Sequence, residues 1–405
     1  MAVAGETIFL NRNTPPHVGT LVLITGMAAM VMNMFLPSLP KMAAHFGTDY
    51  RVMQLSVALY LGAVGALQII IGPLSDRFGR RPVLLWGVGI FVLATAGCLL
   101  APGAGTFLFF RMLQAAISVT MVLTRAIARD ISEQDRAASM IGYITMGMAV
   151  VPMLTPALGG LLDELFGWQA SFLVFLGLGI LTFWLIWADL GETNRRPSAS
   201  FAAQFRQYPE LLLSPRFWGY CMAAAFAAGA FFAYLGGAPF VGTEVFALSP
   251  TELGLYFGAP GLGYMIGNYL SGRYSTRFGV NKMVLAGALL TLAGIGLPTL
   301  LFASGAGGAN IFFGAMIVMG LGNGMVLPNA NAGMLSVRPH LAGSASGLGG
   351  SIMVGGGAAL SAWAGSLLGP GRGAMPLLAL MLAVSGLSLL SILLVIWRER
   401  AKGIA

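Results

Sequence analysis

The sequence predicts an all-α membrane protein with 12 transmembrane helices, arranged as two pseudo-symmetric six-helix bundles. Three observations predict it: too few charges for a water-facing surface, a series of long apolar stretches, and a motif repeated half a chain apart. Only 9% of the 405 residues are charged, against 57% hydrophobic. A soluble domain carries about 25% charge, so most of this surface must face lipid. The 57 glycines suit helices whose backbones approach closely in lipid. Cys98 and Cys221 lie inside apolar runs and read as packed thiols, with no disulfide expected.

A spanning helix needs about 20 apolar residues. The candidates are 18–38, 54–72, 83–101, 106–127, 138–162, 169–189, 217–239, 252–270, 283–303, 309–330, 342–368 and 374–396. Met1 to His17 is polar and proline-bearing, so no cleavable signal peptide is expected. An even number of spans puts both termini on one side, and Lys and Arg choose the side. With cytoplasmic termini, 18 basic residues fall inside and 3 fall outside: Lys41, Arg51 and Arg372. That bias predicts that both termini are cytoplasmic. It also accounts for the net charge of +8 without a nucleic-acid partner.

The longest polar interruption, Gly191 to Pro215, follows the sixth span and reads as a cytoplasmic linker. It divides the chain into 1–190, 191–215 and 216–405. The two halves are related. GPLSDRFG at 72–79 and GRYSTRFG at 272–279 share Gly, Ser, Arg, Phe and Gly at an offset of 200. Upstream, Tyr60-Leu-Gly-Ala-Val-Gly matches Tyr256-Phe-Gly-Ala-Pro-Gly at an offset of 196. Repeated halves of this kind build transporters whose substrate site lies between them near the midplane.

Gly72 to Pro82, GPLSDRFGRRP, resembles the signature loop of the major facilitator superfamily. Arg111-Met-Leu-Gln114-Ala115 resembles that family's helix 4 motif. Pro152-Met-Leu-Thr-Pro156-Ala-Leu-Gly159-Gly160 resembles its helix 5 antiporter motif, with Thr155 where drug antiporters often have Gly. Phe35-Leu-Pro37-Ser-Leu-Pro40, Ala238-Pro-Phe240, Gly267-Asn268-Tyr-Leu-Ser-Gly272-Arg273, Pro328-Asn329 and Ala342-Gly-Ser-Ala-Ser-Gly347 resemble the Bcr/CflA-type drug exporters. The resemblance covers nearly the whole chain. It implies a monomer in the bacterial inner membrane that exports a small molecule by alternating access, with the proton as coupling ion. One position departs from the pattern. Asn33 stands where the group commonly has an Asp in helix 1, and no Asp or Glu falls deep within a predicted span.

In the signature loop, Gly72 and Gly79 are expected to permit the turn between two antiparallel spans. The resemblance implies a conformational latch built from Gly72, Asp76, Arg77, Gly79, Arg80, Arg81 and Asp130. In it Asp76 faces the N-terminus of helix 11 near Gly343, and Arg80 reaches Asp130. The arginines alone could also serve only the topology. Thr276 replaces the Asp in the second copy, so the latch is expected on one side.

Arg111 lies inside the fourth span, where a charge costs about 2.5 kcal/mol or more and tends to be functional. It either acts at a site or snorkels to the outer interface. By resemblance it points toward helix 1 and Asn33, free to hold an anionic or dipolar substrate group. Asn33, Gln114 and Asn268 either contact substrate or bond between helices. Met30, Met34, Tyr60, Phe232, Tyr234, Tyr256 and Tyr264 are candidates to line the cavity, with packed bulk as the alternative for each. Pro152 and Pro156 should bend helix 5, which by resemblance packs with Gly159 and Gly160 at the interface between halves.

The chain shows no nucleotide loop, metal-ligand cluster or nucleophile arrangement, so no enzyme activity, cofactor or metal is expected. The leading reading is a proton-coupled exporter of neutral or anionic small molecules. The alternative is a facilitator, uniporter or importer of an anionic solute that lacks the usual coupling carboxylate. A membrane enzyme or receptor is the third class, and nothing in the motifs supports it.

Overall fold

The structure is a computed structural model. It describes residues 8–131, 151–194, 208–338, 341–369 and 371–401, with the side chains of Arg129, Tyr208, Ala342 and Gly343 excepted. The described residues hold helices and no strand. Nine of these helices are long and apolar enough to cross a membrane.

The first span is α1, Val18–Asn33, which continues through a 3-10 turn, Leu36–Ser38, into α2, Leu39–His45. Pro37 and Pro40 lack backbone N–H groups, so the helical hydrogen-bond ladder is interrupted in this stretch. Next come α3, Tyr50–Phe78, and α4, Arg80–Leu99. The fourth span is broken into α5, Ala104–Leu113, a 3-10 segment, Gln114–Ser118, and α6, Val119–Ile131. Of the predicted span 138–162, the part before 151 lies outside the described residues; α7 is described over 151–166. α8, Gln169–Asp189, closes the first half.

Most of the predicted linker, 195–207, also lies outside the described residues. A short helix α9, Tyr208–Leu212, leads into α10, Pro215–Phe240, which ends in a π turn, Val241–Val245. The predicted span 252–270 is two helices, α11, Pro250–Phe257, and α12, Ala259–Phe278. Pro260 removes a helical donor and restricts the residue before it, so the chain kinks at Gly258. α13, Val280–Ala303, α14, Ala309–Ser336, α15, Ala342–Leu367, and α16, Met375–Ala401, complete the chain.

The sequence repeat is also a repeat of backbone geometry. Gly79 and Gly279 have φ of 97° and 83° with ψ of 156° and 157°. Each donates its N–H to the serine four residues back, Ser75 at 3.0 Å and Ser275 at 2.9 Å. Only glycine adopts this conformation without strain. Gly72 does not share that role, contrary to expectation. It lies within α3, and a side chain there would meet nothing within 4 Å. The i,i+4 pair Asp76–Arg80 and a Ser75 hydroxyl bonded to the Gly72 carbonyl favour the helix to its last turn, so the loop shrinks to Gly79.

Two ends of the molecule can be told apart. Asp189 accepts from the N–H groups of Leu10 and His17 and from the Thr20 hydroxyl, and Glu192 just beyond α8 lies against Gly79, so the N-terminal segment, Gly79 and the end of α8 share one end. We call it the terminal end, and the opposite one the distal end. α15 packs against both α3 and α10 and so joins the two halves. Midway along, a Cβ on Gly65 would lie 3.0 Å from the backbone of Gly355, and the Ser351 hydroxyl donates to the Gly65 carbonyl at 2.7 Å. Small residues permit this close approach in lipid.

Candidate functional site: a caged arginine and a distal seal

Arg111 sits on the last turn of α5 and is 1% exposed. The helix tightens to 3-10 directly after it. Gly87 of α4 makes room, since a Cβ there would lie 2.4 Å from Val119 and 2.9 Å from the Ala116 carbonyl. Arg111 donates from Nη1 to Gln114 Oε1 at 2.7 Å and from Nη2 to the Val31 carbonyl at 2.9 Å. Gln114 in turn donates to Thr95 Oγ1 at 2.8 Å. The guanidinium lies 4.2 Å from the ring centres of both Phe35 and Tyr60.

Among the described residues Arg111 has no carboxylate partner, and its Nε is buried without a hydrogen bond. Burying a charge costs several kcal/mol. Two desolvated cation–π contacts at about 2 kcal/mol each and two charged hydrogen bonds at about 1.5–3 kcal/mol each offset that cost. The cage therefore holds a net positive charge inside the membrane region.

The predicted meeting of Arg111 with Asn33 is not seen. Asn33 donates to the Ala29 carbonyl of its own helix at 2.8 Å, while the longer arginine reaches Val31 instead. Asn268 makes the same short loop back to the Tyr264 carbonyl. A short amide satisfies itself locally before it can span to another helix. The structure thus brings Arg111, Gln114 and Tyr60 together and adds Phe35, Thr95 and the Val31 carbonyl, which the sequence reading did not assign.

The other cavity candidates disperse. Met34 is fully buried, and its carbonyl lies where a Cβ on Gly159 would stand. Tyr234 is fully buried among Phe231, Phe257, Phe312 and Phe313. Phe232 is wedged against Gly357 of α15. These three pack the interior, because apolar rings and thioethers gain more from contact than from an open wall. Tyr256 stacks on Phe313 at 4.7 Å and bonds Asn310, and it is not among the contacts of Arg111. Met30 and Tyr264 are half-buried.

At the terminal end, Arg80 pairs with Asp76 at 2.5 Å and with Asp130 at 3.1 Å, joining α3, α4 and α6. Glu192 accepts from the N–H groups of Arg80 and Arg81. Arg81 donates to the Trp187 and Leu190 carbonyls, where it caps the negative end of α8. Arg77 is exposed and lies over the Phe78 ring. The expected partner of Asp76 near Gly343 falls outside the described side chains.

The halves meet closely at the distal end. From the start of α3, Tyr50 donates to the Gly236 carbonyl at 2.8 Å, Arg51 to the Leu368 carbonyl at 2.8 Å, and Gln54 to Ser361. Glu164 of α7 accepts from the Thr251 hydroxyl at 2.7 Å and its N–H at 3.2 Å. These bonds, with help from Ser249 and Lys41, hold the Glu164 carboxyl below the usual carboxylate range. Gly160 abuts the Pro250 carbonyl, and the Pro156 carbonyl abuts Gly254, so α7 and α11 cross with almost no side chain between them. Pro152 lies one turn further in, on the same helix.

A model of the Major Facilitator Superfamily matches residues 21–362 and, in a second match, 246–403. The chain belongs to this superfamily. It is 32% identical over 327 residues to the chloramphenicol resistance protein of Pseudomonas aeruginosa, covering 78% of this chain and 76% of that one. It is 28% identical over 377 residues to multidrug resistance protein D of Escherichia coli (strain K12), covering 90% and 92%. These relatives match the Bcr/CflA-type exporters that the motifs resemble. The crystal structure of the human organic anion transporter MFSD10 has the same fold, with a TM-score of 0.69 at 18% identity over 93% of this chain and 98% of that one. The chain is a multi-pass membrane transporter and not an enzyme.

Proposed function

We propose that this chain exports neutral or anionic drug-like molecules from the cytoplasm by alternating access between two bundles, 1–190 and 216–405. The observation that carries the substrate class is the caged Arg111, a buried cation with no carboxylate beside it among the described residues. A permanently cationic substrate would meet repulsion there, whereas a dipolar or anionic group would be attracted. The names of the relatives support export. The basic-residue bias supports cytoplasmic termini in an inner membrane, which turns the distal end outward. On that orientation the Tyr50, Arg51, Gln54 and Glu164 bonds would form the outer closure, which supports reading this arrangement as a state sealed toward the outside.

Proton antiport by a monomer is the coupling that the Bcr/CflA resemblance implies. A second reading is a facilitator or importer of an anionic solute, favoured by Asn33 at the position of the usual carboxylate. Uptake into everted vesicles separates the two. Labelled chloramphenicol and a cationic dye are offered with and without an acid interior. Gradient-driven accumulation of chloramphenicol alone supports the exporter. Saturable equilibration that ignores the gradient supports the facilitator.

A further inference from the structure

We propose that a basic cavity at the terminal end of the second half holds the phosphate headgroup of an anionic phospholipid. The cavity measures about 490 Å³, and Arg216, Arg338, Arg398, Glu210, Glu399 and Leu213 contribute to its wall. It lies where α9, α10, α14 and α16 meet, and it shares no residue with the Arg111 cage. Glu399 is 5% exposed and is fully engaged: Arg216 at 2.7 Å, the Tyr220 hydroxyl at 3.3 Å, and Asn281. Arg338 pairs with Glu210 at 2.8 Å. Each carboxylate in the wall is thus committed to an arginine. Arg398 has no carboxylate partner among the described residues.

The unmet charge in the cavity is positive, so the complement is an anion. A zwitterionic headgroup would need a free carboxylate for its ammonium, and the wall offers none. The surroundings identify the anion as a lipid. Leu213 in the wall is 83% exposed, and Trp397, next to Arg398, is 67% exposed. Tryptophan and leucine exposed beside clustered arginines mark the level of headgroups and upper acyl chains. The phosphate sits among the arginines while the chains run along Leu213 and Trp397.

The test is native mass spectrometry of the purified full chain with phosphatidylglycerol and phosphatidylcholine of identical chains, at equal concentration. Phosphatidylglycerol is expected to occupy the protein about fivefold more, the effect of roughly one arginine beside an anionic headgroup. Arg398→Gln should abolish that preference, and Arg400→Gln, outside the wall, should keep it. Thermal stability and gel filtration establish that each variant is folded. Leu213→Gln should weaken phosphatidylglycerol retention while leaving the arginines in place. Equal occupancy by the two lipids, or an unchanged preference in Arg398→Gln, overturns the proposal. Protection by inorganic phosphate equal to that by the lipid also overturns it, in favour of a soluble anion site.

Discussion

Gln54 donates its side-chain amide to both the carbonyl of Ser361 at 2.7 Å and its hydroxyl at 2.9 Å, across 307 residues of sequence. The amide fits because two glycines leave room. A Cβ on Gly236 would lie 2.4 Å from the Gln54 nitrogen, and one on Gly365 would lie 2.3 Å from its oxygen. One buried side chain thus pins α3, α10 and α15 at a single point. Two buried hydrogen bonds contribute about 2 kcal/mol. Gln54→Ala is expected to shift the closed-to-open ratio at the distal end by roughly thirtyfold. Spin labels at Asp49→Cys and Arg372→Cys, one on each half, report it. An unchanged distance distribution would make Gln54 a packing residue only.

Glu164 gives the same closure a pH dependence. Its carboxylate is held by Thr251, so the closed state favours the charged form and binds a proton weakly. Opening releases the group toward an ordinary value of about 4.3. Closure is therefore fully supported above that value and is lost as the pH at the distal end falls through the lowered one. The labelled pair should show a constant closed fraction from pH 7 to about 4.5, then a decline. Glu164→Gln, which cannot ionise, should flatten the curve; a decline that persists in this variant would assign it to another group.

Arg111→Met is expected to separate function from stability. Replacing a buried unpaired charge with an apolar side chain of similar length is often neutral or stabilising. Arg111→Met should therefore insert, stay monodisperse and melt no lower than the parent. Its uptake of labelled chloramphenicol should fall at least about tenfold, the effect of losing one charged contact. Arg111→Lys should fall similarly, because a lysine cannot bond Val31 and Gln114 as a fork between two rings. Full transport by Arg111→Met would make the cage structural.

Much of this was legible in the sequence, and the exceptions share a cause. A lone arginine within an apolar stretch stands out, and so does a glycine repeated before a helix start, so Arg111, Gly79 and Gly279 could be singled out. Tyr60 could be named among the cavity candidates, but Phe35 could not be assigned to the cage, because it is one of 25 phenylalanines. The distal seal is illegible for a different reason. Tyr50, Arg51 and Gln54 sit at a helix start, where polar side chains are ordinary, and most of their acceptors are backbone carbonyls. A carbonyl acceptor leaves no trace in residue identity. The misjudged Gly72 reflects the opposite problem: a family loop motif whose first seven residues finish a helix.

Asn33 offers the most direct check on coupling. It lies two residues beyond Val31, whose carbonyl accepts from Arg111, and its amide turns back to Ala29. A carboxylate at this position gains nothing from Ala29, because carboxylates cannot donate when ionised. It would be drawn instead toward the uncompensated guanidinium, by several kcal/mol at an intermediate dielectric. Asn33→Asp should thus neutralise the cage and relieve its bias against cations. In everted vesicles the parent should exclude a permanently cationic dye, and Asn33→Asp should accumulate it in a gradient-dependent manner. Chloramphenicol transport should persist in both. Equal dye transport by parent and variant would show that the charge at Arg111 does not select substrate, and the neutral-or-anionic assignment would fall with it.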